Sequence, residues 1–198
     1  FFFGFFFSFV GSITPSMLNM TALKISLEKG RNAVNKYALG VALMVFPQIL
    51  IAVFVTKHLG ENPTVLETLE KAGVFIFILL SYYFYKAFKK GKIEIETPKP
   101  NKENSFLTGI TLSILNVFAI PFFSGTVMFL EVFNLFSFDV IPVLFFILGS
   151  ILGTFYILYL YGKYAKFMEK KAGKITKNIN LVLSFLTGFM AVFTLFKL

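Results

Sequence analysis

The sequence predicts an all-α integral membrane protein with six transmembrane helices, arranged as two inverted three-helix repeats whose first and fourth helices are broken. Three observations predict this fold. The chain is 57% hydrophobic and only 15% charged, with a mean hydropathy of +0.78, whereas a soluble domain has about 25% charged residues. Six apolar segments have membrane-spanning length. The first and the fourth of them carry polar interruptions near their middles, which is the pattern of an inverted-repeat transporter.

The six segments are each long enough to cross about 30 Å of hydrocarbon at about 1.5 Å per residue. They cover residues 1–23, 37–56, 72–88, 106–130, 140–161 and 179–196. The connections between them are too short to form a soluble domain. We therefore expect a single transmembrane domain over residues 1–198, with repeat halves of about 1–91 and 103–198 and a cytoplasmic connection at 92–102.

The first ten residues also have the apolar character of a signal-peptide core. No basic region precedes them, no small-residue cleavage site follows them, and the apolar run continues to Leu23. These features favour a membrane span over a cleaved leader.

The basic residues are strongly biased towards one set of connections. Those after the first, third and fifth segments hold sixteen of the nineteen Lys and Arg residues, which places them in the cytoplasm and both termini outside. All eight tyrosines also lie towards the predicted cytoplasmic ends of segments, where an amphipathic ring favours the interface. Because three crossings reverse the direction of the chain, the two halves have opposite orientations.

The first segment is interrupted by hydroxyl groups, an amide and a proline within residues 11–19. Thr14 is a good N-cap and Pro15 suits the first position of a helix, so we predict that a new helix begins there. Its free N–H groups, near Ser16 and Met17, would offer a carboxylate site at the positive end of the helix dipole. The candidate substrate-binding residues of this stretch are Ser12, Thr14, Pro15, Ser16 and Asn19. The alternative is a proline kink whose hydroxyls bond back to helix carbonyls.

The fourth segment carries the second interruption, at Asn116 and Pro121. Asn116 is the only amide in that segment, and a position facing lipid would be costly, so we expect it to face protein or a cavity. Its alternative role is a hydrogen bond between helices. Pro121 frees the carbonyl of Val117, and Asn116 is placed to cap the broken turn. Gln48, beside Pro47 in the middle of the second segment, completes the candidate substrate-binding set.

Pairs of small residues four apart recur in the apolar segments. Gly149 and Gly153 form a GxxxG pattern, and Gly4 with Ser8 has the same spacing, as does Ser184 with Gly188. Such pairs allow helices to approach closely, so we interpret them as packing sites.

No acidic, basic or His side chain lies in the central part of any segment. The sequence therefore offers no proton relay and no counter-ion for a cationic substrate. His58 is expected to be solvated at an outer span end, and Glu131 is interpreted as a solvated interfacial carboxylate, with a proton carrier as the alternative. Because the chain has no Cys and no cluster of metal ligands, we expect no metal site and no cofactor.

Three sequence elements occur in a recognisable order. They are Ile13-Thr14-Pro15-Ser16, then Ser26-Leu27-Glu28-Lys29-Gly30-Arg31-Asn32-Ala33, then Gly109 with Leu115-Asn116-Val117-Phe118-Ala119-Ile120-Pro121-Phe122-Phe123. This layout resembles the LysE family of amino-acid exporters, which has a Pro-Gly-Pro-Asn element, a basic connection containing Gly, and an Asn-Pro element. Pro15 and Asn116 are the identities in the two main motifs. The resemblance covers nearly the whole chain and implies export of amino acids or related metabolites from the bacterial cytoplasm.

These observations predict a multi-pass exporter of amino acids or related small metabolites in the bacterial inner membrane, working by alternating access around the two breaks. One alternative is a channel or a transporter for another small solute. Another is a membrane-embedded enzyme, for which the sequence assembles no nucleophile, acid–base pair or metal cluster.

The same sequence observations predict the partners of the protein. They are the amino acid-like substrate, the lipid bilayer and the anionic inner-leaflet lipids that the Lys-rich connections attract. No nucleic-acid partner is expected. Six spans are few for a complete transport path, so the sequence admits a homodimer.

Overall fold

The computed structural model describes residues 1–13, 16–61, 74–75, 78–79, 81–86, 88–89, 104–116, 118–168, 170, 181, 184–185, 188–189, 191–192 and 195–196. Within these residues all regular secondary structure is helical, as predicted. The chain divides into two compact units. The first combines Phe1–Lys57 with Ile95–Glu169, and the second combines His58–Glu94 with Lys170–Leu198.

Six bounded helices build the described part of the first unit. They are α1 (Phe2–Gly11), α2 (Met17–Lys29), α3 (Arg31–Glu61), α4 (Ser105–Ile114), α5 (Ala119–Val132) and α6 (Val140–Lys163). Among the described residues, α3 and α6 are long and apolar enough to cross a membrane alone, and α4 with α5 makes a third candidate span that is bent by 66°. The α1 helix is apolar but shorter.

The first predicted break is present between α1 and α2. Ser12 ends α1, and Ser16, with the extended backbone of an N-cap, begins α2. The Ser16 hydroxyl accepts a hydrogen bond from the Asn19 N–H at 3.4 Å. The prediction that the new helix begins at Thr14 and Pro15 is therefore wrong by two residues, because it is the Ser16 hydroxyl that meets a first-turn N–H group. Thr14 and Pro15 themselves lie outside the described residues.

The second predicted break is present between α4 and α5. The α4 helix ends at Ile114, and the Asn116 carbonyl accepts a hydrogen bond from the Ala119 N–H at 3.2 Å as α5 begins. Pro121 lies in the first turn of α5, where its missing N–H would have had no intrahelical partner. Pro121 is therefore accommodated in the first turn of α5, which begins at Ala119. Val117, whose carbonyl Pro121 was expected to free, lies outside the described residues.

Glycines bring α1 against α6. A Cβ atom on Gly4 would collide with the Phe146 carbonyl, one on Gly149 with the Phe1 carbonyl, and one on Gly153 would lie 2.6 Å from the Phe5 carbonyl oxygen. The packing interpretation of the 149–153 pattern is therefore confirmed, because only residues without a side chain allow the two backbones to come this close.

Glycines also bring α3 against α4. A Cβ atom on Gly40 would collide with the Phe106 carbonyl, and one on Gly109 would collide with the Tyr37 carbonyl. The two long helices of the first unit thus each cross one of the short helices that end at a break.

Two buried apolar clusters form the core of the first unit. One surrounds the buried rings of Tyr37 and Tyr161 and includes Val41 and Leu158. The other includes Val45, Ala119, Phe123 and Phe146 together with their neighbours on α3, α5 and α6. Members of both clusters line the cavity described below, so the apolar core fixes the cavity walls on both sides.

The second unit contains a reciprocal pair of hydrogen bonds. The Ser81 hydroxyl donates to the Ser184 carbonyl at 2.9 Å, and the Ser184 hydroxyl donates to the Ser81 carbonyl at 3.0 Å. A Cβ atom on Gly188 would lie 3.0 Å from the Ser81 hydroxyl oxygen. This agrees with the packing role predicted for Ser184 and Gly188, since small residues let the two helical segments approach within hydrogen-bonding distance.

Candidate functional site

A cavity of about 210 Å³ lies in the first unit, where the α1–α2 break and the α4–α5 break meet the middle of α3 and α6. Eight of its lining residues carry hydroxyl or amide groups: Ser8, Ser12, Ser16, Asn19, Gln48, Ser113, Asn116 and Thr154. The others are Gly11 and a set of apolar residues: Leu18, Val41, Val45, Phe118, Ala119, Phe122, Phe123, Ile157 and Leu158. None of these described residues is charged.

Five of the eight predicted substrate-binding residues line this cavity. They are Ser12, Ser16, Asn19, Gln48 and Asn116. Thr14 and Pro15 lie outside the described residues. Pro121 is exposed in the first turn of α5 and is not among the lining residues, which at this helix end are Phe118, Ala119 and Phe122.

The first break is held by side chains that donate to its carbonyl groups. Asn19 Nδ2 donates to the Ser12 carbonyl at 2.6 Å, and the Tyr161 hydroxyl donates to the Ile13 carbonyl at 2.7 Å. The Tyr37 hydroxyl donates to the Leu18 carbonyl at 3.1 Å. The Ser12 and Ile13 carbonyls lie between α1 and α2, where a continuous helix would have paired them, and unpaired carbonyls are costly away from water. The Tyr37 bond instead joins α3 to the first turn of α2.

The two tyrosines correct a sequence prediction. All eight tyrosines were expected at the membrane interface, but Tyr37 is 0% exposed and Tyr161 is 2% exposed. Their rings belong to the core, and their hydroxyls tie α3 and α6 to the first break. A buried tyrosine hydroxyl needs such a partner, and an interrupted helix supplies one.

The second break is held by Gln48. Its Nε2 donates to the Ser113 carbonyl at 2.8 Å, in the last turn of α4, and the same carbonyl also accepts a hydrogen bond from the Asn116 N–H at 3.1 Å. Gln48 is only 7% exposed, so its amide is available to the break and the cavity rather than to lipid. An amide side chain therefore supports each break: Asn19 at the first and Gln48 at the second.

Ser8, Ser113 and Thr154 are polar lining residues that the sequence interpretation did not assign to the site. Ser8 and Thr154 share a buried hydrogen bond of 2.7 Å between their hydroxyl oxygens. Ser8 had been assigned to packing alone. One sequence signal connects the two serines, because each follows a glycine of its short helix by four residues, Ser8 after Gly4 and Ser113 after Gly109.

Phe122 forms an aromatic wall of the cavity. Its ring lies directly against Gly11, so that a Cβ atom on that glycine would lie 2.7 Å from Phe122 Cε2. The ring also meets Phe123 edge to face, with centroids 5.3 Å apart. Phe123 is buried and packs edge to face on Phe146. Phe122 thus contacts the core through Phe123 and lies against Gly11 at the end of α1.

Four helix ends surround the cavity and give it polarity without charged side chains. The α1 and α4 helices end there, and α2 and α5 begin there. Helix C-termini carry partial negative charge and N-termini partial positive charge. The first N–H groups of α2, at Met17 and Leu18, have no intrahelical partner by helix geometry. The arrangement therefore suits a small solute that carries one positive and one negative group.

The described residues contain no group of three or more His, Cys, Asp or Glu side chains that could hold a metal ion. The acidic residues at the ends of α5 and α6, Glu131 and Asp139, are both exposed. His58 is also exposed. The chemistry of the cavity is therefore that of hydroxyls, amides, helix ends and aromatic rings.

The family model of the LysE type translocator matches residues 9–197, which is nearly the whole chain. Neither the curated proteins nor the solved structures compared with the chain gave a match.

Proposed function

Because the chain belongs to the LysE type translocator family, a family of membrane transporters, we propose that it exports amino acids or related small metabolites from the bacterial cytoplasm across the inner membrane. The observation that carries this proposal is the cavity. Five of its lining residues, Ser12, Ser16, Asn19, Gln48 and Asn116, come from the two breaks and from the middle of α3. Paired breaks around a buried polar site are typical of transporters with inverted repeats.

The proposed binding mode uses the helix ends. The substrate carboxylate lies at the start of α2, near Ser16 and the free N–H groups of its first turn, because the helix dipole favours an anion there. The ammonium group lies near the carbonyls and amides around Asn116, at the end of α4. Thr14, Pro15 and Pro121 shape the breaks in this proposal.

The transport cycle that we propose is alternating access. The two halves rock against each other about the cavity and expose it first to the cytoplasm and then to the outside. The proposal also includes the predicted topology of six spans in two inverted repeats, with both termini outside. In this topology the Lys-rich connections lie against anionic lipids on the cytoplasmic side. A homodimer is compatible with it.

Efflux from proteoliposomes tests the site. We expect Asn116→Ala and Ser12→Ala to lower the initial rate of amino-acid efflux about tenfold, because each loses a polar group of the cavity. Thr111→Ala is the matched control, since Thr111 is exposed on α4 and does not line the cavity. Unchanged efflux by folded Asn116→Ala and Ser12→Ala proteins would reject the assigned site.

Counterflow separates the transporter from a channel. Proteoliposomes loaded with an unlabelled amino acid should transiently accumulate the labelled one if a single site faces the two sides in turn. A channel would give no such accumulation.

A further inference from the structure

The lining of the cavity restricts the charge of the solute. A free amino acid already carries one positive and one negative group, which the opposing helix ends at Ser16 and Asn116 can receive. A third charge, on a lysine, arginine or glutamate side chain, would meet no counter-ion among the described lining residues, because none of them is charged. This lining favours a solute whose side chain is uncharged.

The size of the cavity restricts the solute further. An apolar cavity of about 150 Å³ holds benzene, which has six non-hydrogen atoms. In proportion, the cavity of about 210 Å³ holds about eight such atoms. Valine has eight, leucine has nine, and phenylalanine has twelve. The cavity thus fits an amino acid with a short aliphatic side chain.

Phe122 is the residue that limits this size. Its side chain lines the cavity, its ring lies against Gly11 and meets the ring of Phe123 edge to face, and the residue is 39% exposed. Phe123 is 4% exposed and cannot give way without disturbing the core. Removal of the Phe122 ring would enlarge the cavity at this wall while leaving both breaks and their hydrogen bonds in place.

We propose that the exported solute is an aliphatic amino acid of about the size of valine, and that the Phe122 ring against Gly11 sets the upper size limit. This inference rests on the proposed function, and it assigns the substrate class and a specificity-determining residue of the same site.

The test is efflux of labelled valine, phenylalanine and lysine from proteoliposomes that contain the wild-type protein, Phe122→Ala or Phe129→Ala. Phe129 is the matched control, because it is another exposed phenylalanine of α5 that does not line the cavity. We expect the wild type to export valine at least tenfold faster than phenylalanine and to leave lysine at background. Phe122→Ala should raise the rate for phenylalanine relative to valine about tenfold, with lysine still at background. Phe129→Ala should keep the wild-type profile.

The outcomes separate the two levels of the proposal. Lysine export at the rate of valine would overturn the substrate class and leave the exporter function standing. An unchanged phenylalanine-to-valine ratio in Phe122→Ala would overturn the size limit alone. Export of none of the three would overturn the proposed amino-acid export and this inference with it. Phe122→Leu, which keeps an apolar side chain, replaces Phe122→Ala if the smaller variant fails to fold, and the same shift of the ratio is expected.

Discussion

Gly40 in α3 and Gly109 in α4 cross so that each faces the main-chain carbonyl three residues before the other, at Phe106 and Tyr37. Gly4 in α1 and Gly149 in α6 meet in the same register, through the carbonyls of Phe146 and Phe1. In both crossings a short helix that ends at a break packs on a long helix. The short helix belongs to one predicted half of the chain and the long helix to the other. This equivalence supports the proposed relation between the halves.

The α3–α4 crossing predicts a strong effect of Gly109→Ala. The new Cβ atom would collide with the Tyr37 carbonyl, which is backbone and cannot move without separating the helices. We expect the free energy of unfolding to fall by about 1–3 kcal/mol. Thermal unfolding in detergent, followed by circular dichroism, measures this. Gly125→Ala is the control, because nothing lies near that glycine and alanine is the better helix former. Equal melting temperatures for the two variants would contradict the close crossing.

The hydrogen bond from the Tyr161 hydroxyl to the Ile13 carbonyl predicts that Tyr161→Phe loosens the first break. Such a bond within a membrane protein contributes about 0.6 kcal/mol on average, or about a threefold change in an equilibrium. We expect the apparent affinity for the exported amino acid to fall by about that factor, measured as the half-saturating concentration in efflux.

Tyr156→Phe is the control for this change. Tyr156 lies exposed on the same helix, and its ring, which the substitution keeps, stacks on Phe9. If both variants shifted the half-saturating concentration equally, the hydrogen bond from Tyr161 to the Ile13 carbonyl would not contribute to substrate binding.

Because Gly11 contacts the Phe122 ring, we predict that substitutions at these two positions have non-additive effects on efflux. Gly11→Ala must displace the Phe122 ring, which is the far end of a side chain and can move without unfolding the protein. We expect valine efflux to change about threefold or more. In a Phe122→Ala background, the same Gly11→Ala change should have little effect, because no ring remains to be displaced. If Gly11→Ala changed valine efflux equally in both backgrounds, its effect would not depend on displacement of the Phe122 ring.

The proposed orientation predicts which cysteines a membrane-impermeant maleimide can reach. The chain contains no Cys, so each introduced thiol is unique. Lys57 and Lys163 are both exposed and lie towards the C-terminal ends of α3 and α6, which cross the membrane in opposite directions in the proposed topology. We expect Lys57→Cys to be labelled in intact bacterial cells and Lys163→Cys only after permeabilisation. The reverse pattern would place the termini in the cytoplasm.

Much of the fold was predictable because membrane solvation leaves few options. A Phe-rich chain with sparse charges has to pair its backbone groups within helices, and the polar clusters at 11–19 and 116–121 mark where two helices stop. The detailed start of α2 was not predictable. Thr14 and Ser16 are both good N-caps, and the choice of Ser16 depends on which hydroxyl reaches an N–H group after the chain has turned.

The candidate site was predictable only in part. Asn19, Gln48 and Asn116 stand out because an amide in a membrane segment needs a protein partner. Ser8, Ser113 and Thr154 do not stand out, since a small hydroxyl residue in an apolar helix serves packing and cavity lining equally well. The buried roles of Tyr37 and Tyr161 also escaped prediction, because a tyrosine near a helix end suits both an interface and a core.

The sequence by itself determined the helical membrane class, the family and the two places where the helices break, because these follow from local hydropathy, from residue type and from motif order. The tertiary structure alone decided which helices cross at glycines, which side chains satisfy the broken carbonyls, and that residues from both breaks share one uncharged cavity walled by Phe122. Those features depend on contacts between residues as far apart as Ser8 and Thr154. No local pattern specifies such pairs, because they form only when separate helices pack.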